Sequence, residues 1–413
     1  MANKSLSCLV VGFNTRPLAY SLNKAGYDVY AVDFFGDLDL FPYVKDSIVI
    51  LRTLNSNYNS LKDNYSQYLV QYTIKLYNKH QDAQFFLIGS GLDDDYEGRK
   101  LILDELKTSN TISVNNDIET IKKARNIEII FDFLKSCGYK IPRSFSFEEL
   151  KIHKLKIEYP FILKKKRSAG GTNVFKIRNE KELESQIQIL QESRFSRKEW
   201  LIQEFIDGIP ISCTVISNGK EALVMSINRQ IIGEKLLNSP KQFMYCGNIV
   251  PAEISKEQEV IISEISILLT KELGLKGING FDFVLRANYP YFMECNPRIP
   301  GSFRASEVVL NLNLLDLHIK SFIPEEWINL KKLVKTTVIK EVATKLIYFA
   351  PKKIDKKIIQ KINNLKYIHD TSEPYRDIIK GEPLCSILYK AKNHFESYNG
   401  ALKIVDKINS IIK

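Results

Sequence analysis

The stretch GFDFVLRANYPYFMECNPR, residues 280–298, decides how the rest of the chain is organised. Two apolar runs flank a polar break at residues 286–290, a pattern that predicts two antiparallel strands joined by a short turn. Side chains alternate along a strand, so Glu294 and Asn296 share one face, and Asp282 can share it on the neighbouring strand. The hairpin therefore brings three oxygen donors together.

Two carboxylates and an amide oxygen are donors that suit Mg²⁺, which takes hard oxygen ligands and usually completes its shell with phosphates. Arg298 lies one alternation further along the second strand and can hold an anion with two parallel hydrogen bonds. The alternative interpretation is an ordinary hairpin with a solvated polar face. The remainder of the chain decides between the two.

Bulk composition narrows the class of protein. The chain has 413 residues, more than one domain, and an ordinary apolar content of 44%. Its net charge of +11 comes from spread-out basic residues, which favours phosphate-bearing small molecules over nucleic acid. No apolar run reaches the length of about 20 residues that spans a membrane, and no signal peptide opens the chain. The six cysteines form no C-x-x-C pair, so we expect reduced thiols, no zinc and a cytoplasmic location.

The N-terminal region predicts a parallel α/β sheet. Residues 6–12 and 29–33 are predicted strands that flank a helix at residues 18–25. A third strand, residues 85–88, runs into Gly89-Ser90-Gly91. That turn lies at the carboxyl edge of the sheet, where open α/β sheets bind ligands. A dinucleotide site is not expected, because the G-x-G-x-x-G pattern does not follow the first strand.

The next region predicts a phosphate-binding hairpin. A helix at residues 117–137 precedes a strand at residues 159–164 that ends in Lys164, and a second strand spans residues 173–177. Between them, the glycine-containing turn of residues 168–172 lets backbone N–H groups approach phosphate oxygens, and the lysine adds a point charge. A basic hairpin tip on the surface is the alternative.

The central region predicts a strand at residues 200–206 that breaks at Asp207-Gly208. Such a break exposes backbone groups that can pair with an adenine edge, and Gln203 can add an amide contact. A long helix at residues 254–273 leads into the hairpin, and a further helix is predicted at residues 305–317. The tail adds elements at residues 345–350, 384–391 and 398–412.

Taken in order, these parts resemble the ATP-grasp superfamily of ATP-dependent carboxylate ligases and carboxylases, over essentially the whole chain. Within it, the chain is similar to the archaeal-type subgroup of biotin-carboxylase-related carboxylate-amine ligases of unassigned substrate. The resemblance implies an α/β fold with ATP-grasp architecture, in which two α+β lobes grip ATP. The implied domains are a parallel-sheet pre-grasp domain (1–115), an ATP-grasp domain (116–325, lid 143–205 and core 206–325) and a closing C-terminal segment (326–413).

The resemblance also implies roles for individual residues. The implied catalytic residues are Lys164, which contacts nucleotide phosphate, and Arg298, which holds phosphate or a substrate carboxylate. The implied nucleotide-binding residues are Lys164, Ser168, Gly170, Gly171, Thr172, Gln203, Glu204, Phe205 and Ile206. The implied metal ligands are Asp282, Glu294 and Asn296, for Mg²⁺ or alternatively Mn²⁺.

Three positions depart from the family pattern. Pro210 stands where a glutamate often holds the ribose, and Ser302 stands where biotin carboxylases carry a catalytic glutamate. Asn126-Ile127 occupies the place of an earlier phosphate-binding lysine. Three basic residues nearby are candidate substitutes: Lys122, Lys123 and Arg125. No Met-Lys biotin attachment motif is present, so biotin carboxylation is not expected.

The implied activity is an ATP- and Mg²⁺-dependent ligation. A substrate carboxylate becomes an acylphosphate, an amine or similar nucleophile displaces phosphate, and ADP and phosphate are released. The expected partners are small-molecule acids and amines, without nucleic acid or membrane, and a homodimer is left open. The alternative function is a non-catalytic nucleotide-binding regulator with the same fold, and a third is a basic nucleic-acid binder. The sequence does not identify the substrates.

Overall fold

A computed structural model of the protein describes residues 5–107, 110–149, 158–167, 170–192, 196–373 and 377–413. The first five strands are β1 (Ser7–Gly12), β2 (Asp28–Asp33), β3 (Asp46–Val49), β4 (Phe85–Ile88) and β5 (Ile112–Ser113). They form one parallel sheet in the order β3-β2-β1-β4-β5. The helices between them are α1 (Arg16–Lys24), α2 (Ile50–Thr53), α3 (Tyr58–Leu61), α4 (Tyr65–Lys79) and α5 (Tyr96–Leu106). The predicted N-terminal parallel sheet is confirmed.

The turn from β1 into α1 is tied to the end of β2 by a buried carboxylate. Asp33 accepts hydrogen bonds from the backbone N–H of Thr15 at 2.5 Å and from its hydroxyl at 2.7 Å. It also accepts one from the backbone N–H of Gly36 at 2.6 Å. Burial raises the pKa of Asp33 to about 6, although these hydrogen bonds oppose the shift. The loops at this edge of the sheet are therefore held in one arrangement.

Two short helices follow, α6 (Ile118–Ala124) and α7 (Ile127–Ser136). The single helix predicted over residues 117–137 is wrong in this respect. Asn126 leaves the helical conformation, and its side chain accepts hydrogen bonds from the backbone N–H groups of Glu128 and Ile129. Asparagine is a strong N-cap residue because its side chain satisfies the free N–H groups of a first turn. The break therefore starts a new helix.

A small antiparallel sheet forms the next layer. Its strands are β6 (Ser144–Ser146), β7 (Phe161–Lys165), β8 (Val174–Ile177) and β9 (Trp200–Glu204), in the order β6-β9-β7-β8. Helix α8 (Glu180–Gln191) packs on β8, and Leu183, Leu190 and Trp200 belong to one buried cluster. This layer has its own small core, separate from the larger ones.

The largest layer is an antiparallel sheet of eight strands. They are β10 (Ile209–Asn218), β11 (Ala222–Ile232), β12 (Tyr245–Val250), β13 (Lys276–Arg286), β14 (Tyr289–Asn296), β15 (Val342–Phe349), β16 (Ile368–His369) and β17 (Pro383–Ala391). Their order is β14-β13-β10-β11-β12-β15-β17-β16. The remaining helices are α9 (Lys256–Glu272), α10 (Phe303–Leu310), α11 (Leu314–Lys320), α12 (Trp327–Thr336), α13 (Lys356–Asn363) and α14 (His394–Ile412). The strands of the tail thus continue the sheet of the predicted hairpin.

The predicted hairpin is confirmed, with a shorter turn. β13 and β14 pair from Gly280 opposite Asn296 to Arg286 opposite Tyr289. Pro290 therefore lies inside β14, where it is tolerated because β14 is the edge strand of the sheet. The single helix predicted at residues 305–317 is α10 and α11, since Asn311 between them adopts a left-handed φ of 53°.

A buried histidine connects α11 with the eight-stranded sheet and with the residue that follows β5. The Nδ1 atom of His318 accepts a hydrogen bond from the backbone N–H of Ile278 at 2.9 Å. Its Nε2 atom lies 2.8 Å from the carbonyl oxygen of Val114, to which a neutral ring donates its N–H. Burial lowers the pKa of His318 from its ordinary 6.5 to about 4.

In the described part of the chain, no helix is long and apolar enough to cross a membrane.

We expect His318 to make folding sensitive to acid. The folded protein holds the ring neutral, so the unfolded chain gains the proton first as the pH falls. Stability should drop between pH 6.5 and 4, by on the order of 3 kcal/mol from this residue. Denaturant unfolding of His318→Gln at several pH values should give a shallower slope over that window than the wild type. Identical slopes would contradict this role.

Candidate active site

A cleft of about 600 Å³ lies between the four-stranded and eight-stranded sheets. Most of the predicted site residues line it: Lys164, Gly170, Gly171, Gln203, Glu204, Phe205, Ile206, Asp282, Glu294, Asn296 and Arg298. Thr172 does not line the cleft; its carbonyl oxygen accepts a hydrogen bond from Lys241 at 2.9 Å. Ser168 lies outside the described residues. The tertiary structure thus brings together three segments that are distant in sequence.

Two carboxylates face each other on the floor of the cleft. Asp282 on β13 stands opposite Glu294 on β14. Asn296 donates a hydrogen bond from Nδ2 to Asp282 Oδ2 at 2.9 Å, and Gln230 donates one from Nε2 to Asp282 Oδ1 at 2.9 Å. Burial, the charge of Glu294 and a hydrogen bond to Glu294 raise the pKa of Asp282 well above its ordinary value. The pair therefore carries an electrostatic cost that a cation would relieve.

This donor set fits a divalent cation. Asp282 and Glu294 supply two adjacent carboxylates, and their mutual repulsion is what a 2+ ion offsets. Asn296 presents its amide N–H to the carboxylates, so it would have to present its oxygen instead to act as a ligand. Among the described residues, no group of three or more His, Cys, Asp or Glu side chains could hold a metal ion, so further ligands would have to be phosphate or water oxygens.

Gln230 is a site residue that the sequence analysis missed. It comes from β11, two strands away from Asp282 in the sheet. The signal in the sequence was the polar alternation of Ser226, Asn228 and Gln230 within residues 222–232. Strand alternation places all three on one face, but only the sheet order shows that this face is the one that carries Asp282.

Lys164 reaches the same cleft from the side opposite the two carboxylates. Lys164 lies near the end of β7. Burial lowers the pKa of Lys164, the charges of Glu294 and Asp282 oppose that shift, and Arg125 adds to it. Glu294 and Asp282 thus act electrostatically on Lys164 across the cleft. An anionic ligand between them would favour the charged ammonium.

Arg125, one of three candidate substitutes for the helix lysine of the family pattern, lies at the cleft. Of the three candidate substitutes, Arg125 lines the cleft, whereas Lys122 pairs with Glu119 on the surface. Arg125 holds the Asp94 carboxylate with two hydrogen bonds, of 3.1 Å from Nε and 2.9 Å from NH2. This bidentate pair raises the pKa of Arg125 above its ordinary value even though burial opposes it. The guanidinium is therefore charged and fixed in direction.

Arg298 is held by a second acid of the same loop. Its Nε donates to Asp93 Oδ1, and its NH1 donates to the carbonyl oxygen of Ile299 at 3.1 Å. Burial raises the pKa of Asp93, but the charges of Arg298, Arg125 and Arg99 prevail and lower it to about 2. The sequence analysis did not find Asp93, although it follows the predicted turn at Gly89-Ser90-Gly91. One acid therefore stays charged among three arginines.

Two of the predicted adenine-hinge residues, Gln203 and Glu204, have their side chains engaged within the protein. Gln203 donates from Nε2 to the hydroxyl of Ser144 at 3.0 Å. Glu204 pairs with Arg143 at 3.4 Å and with Arg286 at 3.6 Å. Contacts to a base at this hinge would consequently fall to the backbone rather than to these two side chains.

The glycine turn packs closely against the eight-stranded sheet. Gly171 has a φ of +74°, and a Cβ atom there would lie 1.8 Å from the carbonyl oxygen of Phe243. Gly170 accepts a long hydrogen bond of 3.5 Å from the backbone N–H of Tyr245. A side chain at Gly171 would hold the turn away from the sheet, so this position requires glycine.

A second cavity of about 360 Å³ adjoins the cleft. The two share a wall made of Ser90, Gly170, Tyr245, Arg298, Pro300 and Gly301. The remaining walls come from the loops at the carboxyl edge of the parallel sheet and from β15 and β17. Arg298 therefore faces both spaces.

Comparison with known proteins agrees with this architecture. Residues 128–302 match the ATP-grasp domain family. An uncharacterized protein of Methanocaldococcus jannaschii is 28% identical over 94% of this chain and 88% of its own length. A D-alanine–D-alanine ligase of Christiangramia forsetii is 28% identical over 37% of this chain and 45% of its own. The crystal structure of an L-amino acid ligase from Bacillus licheniformis superposes with a TM-score of 0.68 and 16% identity, covering 98% of both chains.

These findings define the class of protein. The chain has the ATP-grasp fold, residues 128–302 match the ATP-grasp domain family, and the resemblance to the ATP-grasp superfamily is confirmed. The predicted domain boundaries and the roles of individual residues stay predictions.

We expect Asp93 to be essential for the arrangement of the arginines. Asp93→Asn leaves Arg298, Arg125 and Arg99 without the charge between them, which should lower the free energy of unfolding by about 3 kcal/mol. Urea denaturation of Asp93→Asn, Arg298→Met and the double variant measures the coupling between the two residues. The double variant should be less destabilised than the sum of the single changes. Strict additivity would show that the Asp93–Arg298 pair is not coupled.

Proposed function

We propose that this chain is an ATP- and Mg²⁺-dependent ligase that joins a small carboxylic acid to an amine. The observation that carries the proposal is the geometry of one cleft: two partly buried carboxylates on a hairpin face a strand-end lysine, and an arginine lies beside them. The ATP-grasp domain and the whole-chain likeness to an L-amino acid ligase support it. The similarity to D-alanine–D-alanine ligase over part of the chain points to the same type of bond.

The reaction would run in two steps. An oxygen of the substrate carboxylate attacks the γ-phosphorus of ATP, the bond to the β-phosphate oxygen breaks, and an acylphosphate and ADP form. The amine nitrogen then attacks the acyl carbon, phosphate leaves, and the nitrogen releases a proton. Because most of the work in phosphoryl transfer is positioning and charge neutralisation, few residues need to react covalently.

Three basic residues of the cleft have places in this scheme. Lys164 would contact the phosphates, and Arg298 would hold the γ-phosphate or the substrate carboxylate with a planar fork. Opposite charges about 4 Å apart gain about 4 kcal/mol at an effective dielectric near 20, so a few such contacts stabilise a phosphoryl transition state substantially. Arg125 would supply a further fixed positive charge at this end of the cleft.

Asp282 and Glu294, with Asn296 and phosphate oxygens, would hold Mg²⁺ or Mn²⁺. When bound, the ion would neutralise negative charge on the phosphates. The glycine turn at Gly170-Gly171, packed on the sheet, would cover the phosphates and exclude water, which protects an acylphosphate from hydrolysis.

A screen for ADP formation tests the proposal directly. The purified protein is incubated with ATP, Mg²⁺ and pairs drawn from a panel of amino acids, other carboxylic acids and amines. We expect ADP formation that requires both an acid and an amine, together with a product whose mass equals their sum minus water. A protein that binds ATP but forms no ADP with any pair would instead be a nucleotide-binding regulator.

Glu294→Gln should separate the metal role from a structural one. The change removes one of two adjacent, partly buried carboxylates and keeps the size of the side chain, so the metal-free melting temperature should stay equal or rise slightly. Turnover should fall steeply, because the cation loses a charged ligand. Calorimetric melting with and without Mg²⁺, alongside the ADP assay, measures both effects. Full activity at saturating Mg²⁺ would show that the carboxylate pair is not a metal site.

Arg298→Lys tests the planar fork. The charge is kept, but the contact of Nε with Asp93 and the second hydrogen bond to an anion are lost. We expect kcat/KM for the acid substrate to fall on the order of tenfold to a hundredfold, with ATP affinity changed by only a few-fold. Arg178→Lys, at an exposed pair with Glu182, is the matched control and should be neutral. Wild-type kcat/KM in Arg298→Lys would exclude the assigned role.

A further inference from the structure

The second cavity has an uneven distribution of charge. Three acids line it, Asp37, Asp370 and Glu373, together with the two bases Lys345 and Arg298. Arg298 is already engaged by Asp93, outside this set. An acid of this cavity can bind a cationic ligand only if a basic side chain of the protein does not already neutralise it.

Two of the three acids have guanidinium partners. Asp370 accepts hydrogen bonds from Arg16 at 2.8 Å and 2.6 Å, and Arg16 also lies 3.3 Å from Asp39. Glu373 pairs with Arg52. Because Arg16 is buried and shared between two aspartates, it has little capacity to neutralise a third.

Among the described residues, Asp37 is the acid of this cavity without a guanidinium ion pair. Its side chain is only 9% exposed, and Asn14 donates a hydrogen bond from Nδ2 to its Oδ2 at 3.0 Å. That donor is a neutral amide. The pKa of Asp37 is raised well above its ordinary value, mainly by burial. The negative charges of Asp370, Asp33 and Asp39 raise it further. A buried carboxylate in this setting favours a cationic partner, since an opposite charge restores its ionised form.

The rest of the cavity wall is largely apolar. Hydrocarbon side chains surround the space: Leu18, Phe35, Ile299, Phe303, Ile347 and Phe349. The volume of about 360 Å³ lies at the lower end of the range for small-molecule sites, about 300–1,000 Å³. A ligand with one ammonium group and a short carbon chain matches this combination.

A row of polar residues connects this cavity with the carboxylates of the cleft. Gln230 on β11 stands opposite Asn248 on β12, which stands opposite Lys345 on β15. Gln230 donates to Asp282, and Lys345 donates from Nζ to the carbonyl oxygen of Gly301 at 3.1 Å. The second cavity and the phosphate end of the cleft therefore share one face of the eight-stranded sheet, and both open onto Arg298.

We propose that the second cavity binds the amine substrate as its ammonium form, with Asp37 as the group that recognises the nitrogen. The carbon chain of the amine lies against the apolar wall, and the nitrogen lies within the space that adjoins the cleft. The substrate class is accordingly an aliphatic primary amine or an amino acid with an apolar side chain. This inference rests on the proposed ligase function for the fate of the amine, but the recognition itself is a binding property.

Isothermal titration calorimetry tests the recognition. The probes are isoamylamine and L-leucine, and the uncharged counterpart of isoamylamine is isoamyl alcohol, each titrated in the presence of Mg²⁺ and a non-hydrolysable ATP analogue. We expect at least one amine probe to bind wild-type protein about tenfold or more tightly than the alcohol, and to bind Asp37→Asn about tenfold or more weakly than wild type. Glu373→Gln, an acid of the same cavity that already has a guanidinium partner, should change the affinity less than threefold.

Either of two results with the amine probes would overturn the inference: no binding of either amine, or equal affinity of wild type and Asp37→Asn for the amine that binds. The comparison of amine with alcohol in the wild type stands even where Asp37→Asn does not fold, and equal affinity for the two compounds also overturns it.

The ADP assay separates this inference from the proposed function. Asp37-dependent amine binding without ADP formation by any acid and amine pair would refute the ligase and leave the amine site. ADP formation with an amine KM that Asp37→Asn does not change would refute the amine site and leave the ligase.

Discussion

The ion pairs of Asp93 and Asp94 join the parallel sheet to the rest of the molecule. Both acids lie in the loop after β4, and they hold Arg298 from the hairpin and Arg125 from the end of α6. Because these arginines line the cleft, the loop fixes the direction of the positive charge inside it. Partly buried opposite charges attract each other strongly. The position of the parallel sheet therefore helps to determine where the two arginines lie in the cleft.

On the opposite wall of the cleft, two carboxylates repel each other. Asp282 and Glu294 lie side by side with neutral amide donors from Gln230 and Asn296, which lessen the cost of burying two carboxylates but do not remove it. Stability alone would favour replacing one acid. A site that binds a cation together with an anionic ligand gives a reason to keep both, because the cost disappears when the cation is present.

The eight-stranded sheet connects the two cavities. Its strand order places β15 next to β12 and β17 next to β15, and both strands come from the last quarter of the chain. Lys345 and the acids at residues 370 and 373 thereby meet Asp37 and Asn14 from the first forty residues. Arg16 crosses this junction through its bonds to Asp370, so the N-terminal and C-terminal parts of the chain close the second cavity together.

Local patterns in the sequence determined the elements and the central hairpin. Alternation along residues 280–298 placed Asp282, Glu294 and Asn296 on one face, and apolar runs bounded by glycine marked the strands of the parallel sheet. Where a single asparagine interrupted a predicted helix, at Asn126 and Asn311, periodicity alone did not show the break. Only the tertiary structure decided the partners of Arg298, the place of Gln230 and the environment of Asp37. Each of these depends on contacts between residues far apart in sequence, and the strength of a charge interaction depends on burial and distance, which periodicity does not contain.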